Sequence, residues 1–499
     1  MVLGHPRAPA STSDPRQRAR YRAIVPSLDA VVIGSGPNGL AAALTLARAG
    51  LSVEVYEGEP SPGGGCRSAE LTLPGFHHDI CSAVHPLVAA SPFFRSVDLA
   101  ARGVKLLTPD VSFAHPLDDG RAGAVVPSVD ETAESLGEDG PAYRRLFGPL
   151  VRDVDKVLPT LLGPLRAPPR HPLAMARLGL PGLLPVTRLA GRFHSEEAKG
   201  LLAGAAAHSM LPLSTPLTGS YGLLFITLGH AYGWPIVEGG SERVVEALVA
   251  ELAALGGTIQ LDRWVNNWSE LPEARAVLAD TSPQHLEILG KDRLSPSYKN
   301  ALRRFRYGPG VCKVDWALSG PVPWEAAACR RAGTVHVGGT MEEVATSESE
   351  VAAGRHAERP FCLVAQPGVV DVTRAPDGKQ TLWAYCHVPS GSTVDMTGRI
   401  EAQIERFAPG FRDLILARVT KTAAQAEEAN PNYVGGDITG GMATLRQTLF
   451  RPTVRWDNYK TSSPDLYLCS ASTPPGGGVH GMCGYHAART ALKGLAKGV

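Results

Sequence analysis

VVIGSGPNGLAAALTLARAGLSVEVYE, residues 31–57, decides the fold. Asp29-Ala-Val-Val-Ile33 is apolar enough for a strand covered on both faces, as parallel sheets require. Gly34, Gly36 and Gly39 follow in GxGxxG spacing and open an Ala/Leu-rich helix over 40–49, with Gly50 as its C-cap. A second strand over 52–56 ends at Glu57. Each glycine has a separate task. Gly34 makes the tight turn, Gly36 lets backbone approach a pyrophosphate, and Gly39 lets the helix pack closely on the strand. Phosphates then sit at the helix N-terminus beside Pro37 and Asn38, and Glu57 stands where a ribose-binding acid belongs. The stretch predicts a dinucleotide-binding βαβ unit in an α/β protein.

The rest of the composition fits an enzyme of that class. The chain has 499 residues, too many for one ordinary core, so two or three interwoven domains are expected. It is 44% hydrophobic and 19% charged, below the roughly 25% charged of an average globular protein. Lys and Arg total 49 against 48 Asp and Glu, and no basic stripe with interleaved aromatics occurs, which argues against nucleic acid as a partner. The eight cysteines are scattered, without CxxC pairs or metal-ligand spacing, as in a cytoplasmic protein with reduced thiols and no metal site. Residues 1–28 are rich in Pro, Ser and Arg, lack the apolar core of a secretory signal, and read as a disordered leader. Residues 201–229 are uncharged and long enough to span a membrane, but Pro212, Pro216 and several glycines interrupt them, so they read as buried core.

Two further motifs bear on the cofactor. Pro62-Gly-Gly-Gly-Cys-Arg67 follows the second strand directly and resembles the GG-x-R element of glutathione-reductase-like FAD proteins, which implies Gly64, Gly65 and Arg67 at the cofactor phosphates. Near the other end, residues 465–469 read as a strand, and a glycine loop over 470–484 enters a helix over 485–495. Such a loop places Gly478, Val479, Gly481 and Met482 at a helix N-terminus, whose partial positive charge stabilises an electron-rich ring. No second GxGxxG and no CxxxxC redox pair follow, so the reading is tight FAD without a separate NAD(P) site.

From Ala30 onward the chain resembles the phytoene-desaturase-like flavoproteins of the amine oxidase and desaturase superfamily. The likeness rests on both FAD motifs and on Pro74-Gly-Phe-His-His-Asp79, Gly233-Trp-Pro235, Glu238-Gly-Gly-Ser241, the stretch from Tyr307 to Leu318, Gly435-Gly-Asp437, Arg451-Pro452 and Val479-His-Gly-Met482. It implies a glutathione-reductase-like Rossmann FAD domain from residues 29–115, 235–300 and 430–499. A mixed-sheet and helical substrate domain is implied from 116–234 and 301–429, with strands over 311–318, 334–337, 361–366 and 380–387. Val265 is implied at the adenine side of FAD, although the hairpin that usually follows is shortened to residues 266–275.

Among catalytic candidates, Lys313 followed by Trp324 resembles the amine-oxidase lysine that holds a water against the flavin; the alternative is a lysine that faces solvent or pairs with Asp315. His480 lies in the flavin loop, either as a proton donor or as a helix-capping residue. His77, His78 and His85 around Asp79 read as loop and core residues, and Glu238 as structural. The acid-free stretch 158–192 reads as a helical lid or membrane-surface patch, or as a helix pair with solvated arginines. An amine-caging aromatic pair has no clear equivalent, because the corresponding C-terminal position is glycine (476–478). The sequence therefore predicts a FAD-dependent oxidoreductase that takes hydride from a hydrophobic small molecule, most simply by C–C desaturation, in the cytoplasm or in peripheral contact with a membrane. An amine or alcohol oxidase, a redox-neutral polyene isomerase and a flavin-bound binding protein are the alternatives, and the electron acceptor is left open.

Overall fold

The computed structural model describes residues 28–165 and 168–496. Of the expected leader only Leu28 is among them, and it opens the first strand, Leu28–Ile33; the remainder lies outside the described residues. That strand is the middle of a five-stranded parallel sheet, ordered Leu466–Leu468, Ala274–Ala279, Leu28–Ile33, Val53–Tyr56, Thr258–Gln260. Its uninterrupted apolar run follows from burial on both sides. Ala30 and Val32 point into a core shared with helices Pro37–Ala47, Glu242–Ala254 and Met482–Leu495. Val31 and Ile33 point into a smaller core closed by helices Pro283–Leu289 and Pro296–Leu302. The sheet thus draws on three distant parts of the chain.

A second, seven-stranded sheet is mixed. Its order is Ile415–Lys421, Gly310–Leu318, Gln380–Val388, Cys362–Ala365, Ala332–Val337, Val111–Pro116, Ala122–Val125. All neighbours are antiparallel except Ala332–Val337 and Val111–Pro116. The four strands expected between residues 311 and 387 are all here. One boundary moves: residues 111–115, assigned from sequence to the dinucleotide domain, pair with Ala332–Val337 and belong to this sheet. Period-two alternation sorts the strand Gly310–Leu318. Cys312, Val314, Trp316 and Leu318 face a core with Ile400, Ile404 and Phe407 of helix Thr397–Phe407. Lys313 and Asp315 face the other way, opposite Tyr385 and Trp383.

The apolar stretch 201–229 folds as two packed helices, Glu196–Ala207 and Thr218–Ala231, joined through Pro212 and Pro216. Among the described residues no helix is long and apolar enough to cross a membrane. Over 158–192 the chain finishes the helix Gly140–Leu161 and forms helices Pro172–Gly182 and Val186–Ala190. Ala174, Leu178, Val186 and Leu189 are buried there, while Leu173, Leu180 and Leu183 are exposed. All eight cysteines are free thiols.

Candidate functional site

One cavity of about 390 Å³ runs from the first glycine turn to the aromatic side chains beside the second sheet. At its nucleotide end the wall is mostly backbone. Gly34 has φ +94°, a conformation open to glycine and strained for other residues. Gly39 is required by close approach, because a Cβ there would lie 2.0 Å from the Gly34 carbonyl oxygen. Gly36, at the N-cap of helix Pro37–Ala47, and Gly64, in the short turn Gly64–Cys66, face each other across the cradle; a Cβ on Gly64 would sit 3.2 Å from the Gly36 Cα. Gly34, Gly36, Pro37, Asn38, Glu57, Gly64, Gly65, Arg67 and Val265 all line the cavity, as do Gly478 and Val479 from the C-terminal loop. Gly39, Gly481 and Met482 do not line it. Their parts are structural: Gly39 closes the turn, and Met482 begins the helix behind the loop.

Side chains hold this cradle in shape. Glu57 Oε2 accepts from Ser35 N–H (2.9 Å) and Ser35 Oγ (2.5 Å), and its Oε1 accepts from Glu59 N–H, which ties the end of the second strand to the first turn. Arg67 donates to the Gly64 carbonyl (3.1 Å) and pairs with Glu59 (2.9 Å). Asp280 lies at the carboxyl end of strand Ala274–Ala279, the edge at which parallel sheets bind ligands. Its Oδ2 accepts the Gly39 N–H at 2.7 Å. Burial pushes its carboxyl up to about 7 against that hydrogen bond, and the charge of Glu57 adds to the rise. The buried atoms Asn38 Oδ1 and Thr281 Oγ1 belong to cavity-lining residues and have no hydrogen-bond partner. A glycine-walled cradle at a helix N-terminus, with unused polar atoms beside it, fits the pyrophosphate and ribose of a dinucleotide. The shortened connection after Val265 is filled locally: His285 bonds the Val265 carbonyl (2.9 Å), and Arg263, Trp264 and His285 line the same end.

The far end is aromatic. Tyr221, Phe225, Trp234, Trp383 and Tyr385 line it together with Met210 and Leu363. Trp383 and Tyr385 are two residues apart on one strand, their rings stacked at 5.7 Å and 13°. The glycine-rich C-terminal loop supplies no aromatic pair, and this one comes from the second sheet. His208 also lines this end, 3.0 Å from His336 between ring nitrogens; burial holds His208 down near 3 and His336 well below its ordinary value, so both are neutral.

Neither catalytic candidate reaches the cavity. Lys313 is buried, and its Nζ donates to both oxygens of Asp315 at 2.5 Å, the pairing alternative weighed from sequence. Its Nζ is 5.4 Å from the Trp383 ring centre, so Trp383 and Tyr385 border the cavity where Lys313 does not. His480 caps the last helix: Nδ1 accepts the Met482 N–H (3.0 Å), which leaves Nε2 to donate to the Gly476 carbonyl (3.1 Å). Both nitrogens are used, and burial lowers its pKa to about 4, so it is a neutral positioning residue at neutral pH. Asp79 joins Arg374 (2.9 Å), which also bonds Asp371 (2.7 Å), in a buried ion cluster; His78 is a neutral core residue, while His85, also held neutral by burial, lines the cavity, its Nε2 2.8 Å from Ser241 Oγ and its Nδ1 without a partner. Glu238 pairs with Lys105. No described residue of 158–192 lines the cavity, and the helices of that segment pack on Thr218–Ala231.

With the geometry in place, comparison with known proteins gives the class. Residues 32–97 match the NAD(P)-binding Rossmann-like domain family. The solved structure of wild-type putrescine oxidase bound to putrescine superposes with a TM-score of 0.59 at 17% identity, over 94% of this chain and 99% of that one. The fold is shared. A mouse protein named pyridine nucleotide-disulfide oxidoreductase domain-containing protein 2 is 27% identical over 98% of this chain and 97% of its own length. A phytoene desaturase from Cercospora nicotianae is a distant, partial match, 26% identical over 71% of this chain and 60% of its own. The chain is therefore a mixed α/β protein with a Rossmann dinucleotide-binding domain, and its relatives are oxidoreductases.

Proposed function

We propose that the protein is a FAD-dependent oxidoreductase that takes hydride from a hydrophobic organic substrate by C–C desaturation, in the manner of the phytoene-desaturase-like enzymes. The observation that carries this reading is the continuity of the cavity, from the Gly34–Gly36 turn past the C-terminal loop at Gly478 and Val479 to the Trp383 and Tyr385 rings. FAD is favoured over a nicotinamide dinucleotide because two elements outside the βαβ unit, the Gly64–Arg67 loop and the Gly478–Val479 loop, border the same cavity. When bound, FAD supplies the hydride acceptor.

The chain's own residues bind, orient and exclude water. Gly34, Gly36 and the N-terminus of helix Pro37–Ala47 receive the pyrophosphate, Arg67 adds a positive charge, and Glu57 receives the ribose. Hydrogen bonds from His480 fix the loop that carries Gly478 and Val479. Tyr221, Phe225, Trp234 and Trp383 enclose an apolar chain and keep solvent from the reacting carbons.

Amine oxidation is the second reading, and the stacked Trp383 and Tyr385 favour it, since aromatic faces attract ammonium groups. Against it, no described residue offers a substrate cation a carboxylate at the aromatic end: the cavity-lining acids Glu57, Glu59 and Asp280 all belong to the nucleotide end.

The test is an absorbance spectrum of the purified protein followed by anaerobic titration with polyenes, unsaturated fatty acids and primary amines. A flavin band that bleaches with an apolar chain is expected. No flavin after reconstitution overturns the cofactor assignment, and bleaching by amines alone overturns desaturation.

A further inference from the structure

Among the described residues, the wall of the cavity near Tyr221 holds a cation, Arg451, that no carboxylate pairs with. Arg451 follows the short helix Leu445–Phe450, lines the cavity and is 5% exposed. Its Nη2 donates to the carbonyls of Gly440 (3.1 Å) and Gly441 (2.9 Å). Its Nε is buried without a hydrogen-bond partner, and no described residue accepts from Nη1. Nη1 lies against Gly476, where a Cβ would come within 2.4 Å of it, so glycine keeps that edge of the guanidinium clear.

Other buried cations of the molecule are treated differently. Arg374 is held by Asp79 and Asp371, and Lys313 by Asp315. The carboxylate that acts electrostatically on Arg451 is Asp437, and its oxygens already accept from Gly308 N–H, Thr439 N–H and Thr439 Oγ. Burial lowers the guanidinium pKa, though an arginine keeps its charge. An unpaired charge in a dry wall costs several kcal/mol, and a planar fork with free N–H groups is the side chain best matched to a carboxylate.

We propose that Arg451 anchors the substrate, and that the cavity takes an amphipathic molecule with a carboxylate head and an apolar body, the head on the Nη1 edge of the guanidinium and the body along Tyr221, Phe225 and Trp234. This assignment of substrate class rests on the reading of the cavity as a site for a hydrophobic substrate. It also separates the substrate from a pure hydrocarbon, which leaves Arg451 unpaired, and from an amine, which Arg451 repels.

The experiment titrates the full-length protein with dodecanoate and with methyl dodecanoate, read by quenching of tryptophan fluorescence, since Trp234 and Trp383 line the cavity. This readout works whether or not a flavin is bound, so it fails independently of the cofactor assignment. The acid is expected to bind about ten-fold tighter than its ester. Arg451→Met should bring the two within about two-fold, and Arg451→Lys, which keeps the charge and guards against a folding defect, should retain a preference for the acid. Equal binding of acid and ester by the wild type, or a preference that survives in Arg451→Met, overturns the proposal. So does loss of bound flavin in Arg451→Met with the preference intact, which would give the cation to the cofactor.

Discussion

At the nucleotide end of the cavity the turns that face each other are main chain, from Gly34, Gly36, Gly64 and Gly65, whereas the aromatic end is walled by side chains, from Tyr221, Phe225, Trp383 and Arg451. The two ends differ in how they respond to change. A backbone wall works through positions that only a residue without Cβ can hold, so most substitutions there break it. A side-chain wall is carried by a rigid sheet and helix pair behind it, so it can change its ligand without changing its fold.

The sharpest break of that contrast would be at Gly39. Gly39→Val drives a side chain into the Gly34 carbonyl and is expected to cost more than about 4 kcal/mol and to abolish dinucleotide retention. Phe225→Leu at the other end should cost only about 1 kcal/mol and leave retention intact. Denaturant unfolding and the absorbance of the purified variants check both; a Gly39→Val protein with full cofactor would refute the backbone account.

Next in size is the ion pair behind the aromatic wall. Lys313→Met strands the Asp315 carboxylate in the interior and should destabilise by about 3 kcal/mol, and the double change with Asp315→Asn should recover most of it. Because Lys313 does not line the cavity, the rate of flavin reduction in that double variant should match the wild type. A large loss of rate with stability restored would return Lys313 to the chemistry.

Asp280 sharpens the comparison at the nucleotide end. Its folded-state carboxyl, at about 7, lies above its ordinary 3.8. The folded state therefore prefers the protonated form, a contribution fully present below about pH 4 and lost as pH rises through 7. Asp280→Asn should raise stability at pH 8 by about 2 kcal/mol and by progressively less toward pH 4, measured by urea unfolding across that range. A pH-independent difference would remove the buried-acid account.

The smallest effect is expected at His480, where His480→Ala removes a helix-capping bond at a cost of about 1 kcal/mol. Its folded-state pKa, about 4, lies below the ordinary 6.5, so its contribution is present above pH 6.5 and lost as pH falls toward 4. The variant should lack that part of the acid sensitivity while its turnover at pH 6–8 follows the wild-type profile.

What could be read in the sequence follows from how local each feature is. The strand, glycine turn, helix and second strand lie within thirty residues of one another, and their spacing alone specifies the backbone. The four strands of the second sheet between residues 311 and 387 were legible for the same reason, whereas Ile415–Lys421 and Ala122–Val125 were not. The boundary at residues 111–115 was not, because the partner of that strand lies some 220 residues further on. Lys313 and Asp315 were visible as an alternating pair, but which of solvent, cavity or each other they meet depends on the Trp383 and Tyr385 strand across from them. Asp280 stands at the carboxyl end of a recognisable strand, and the rule that ligands gather there was the signal that could have found it. Arg451 was noticed only beside Pro452, since the absence of a partner is a property of the assembled fold.

The order of strands in the five-stranded sheet has a consequence for the making of the protein. The strand beside Ala274–Ala279 is Leu466–Leu468, and the loop that brings Gly478 and Val479 to the cavity follows it. On a ribosome, the first glycine turn emerges more than four hundred residues before the groups that close its site. A nascent chain can form the βαβ unit early, but it cannot complete the compartment until synthesis has passed residue 479, so a polypeptide released early carries an open half-site.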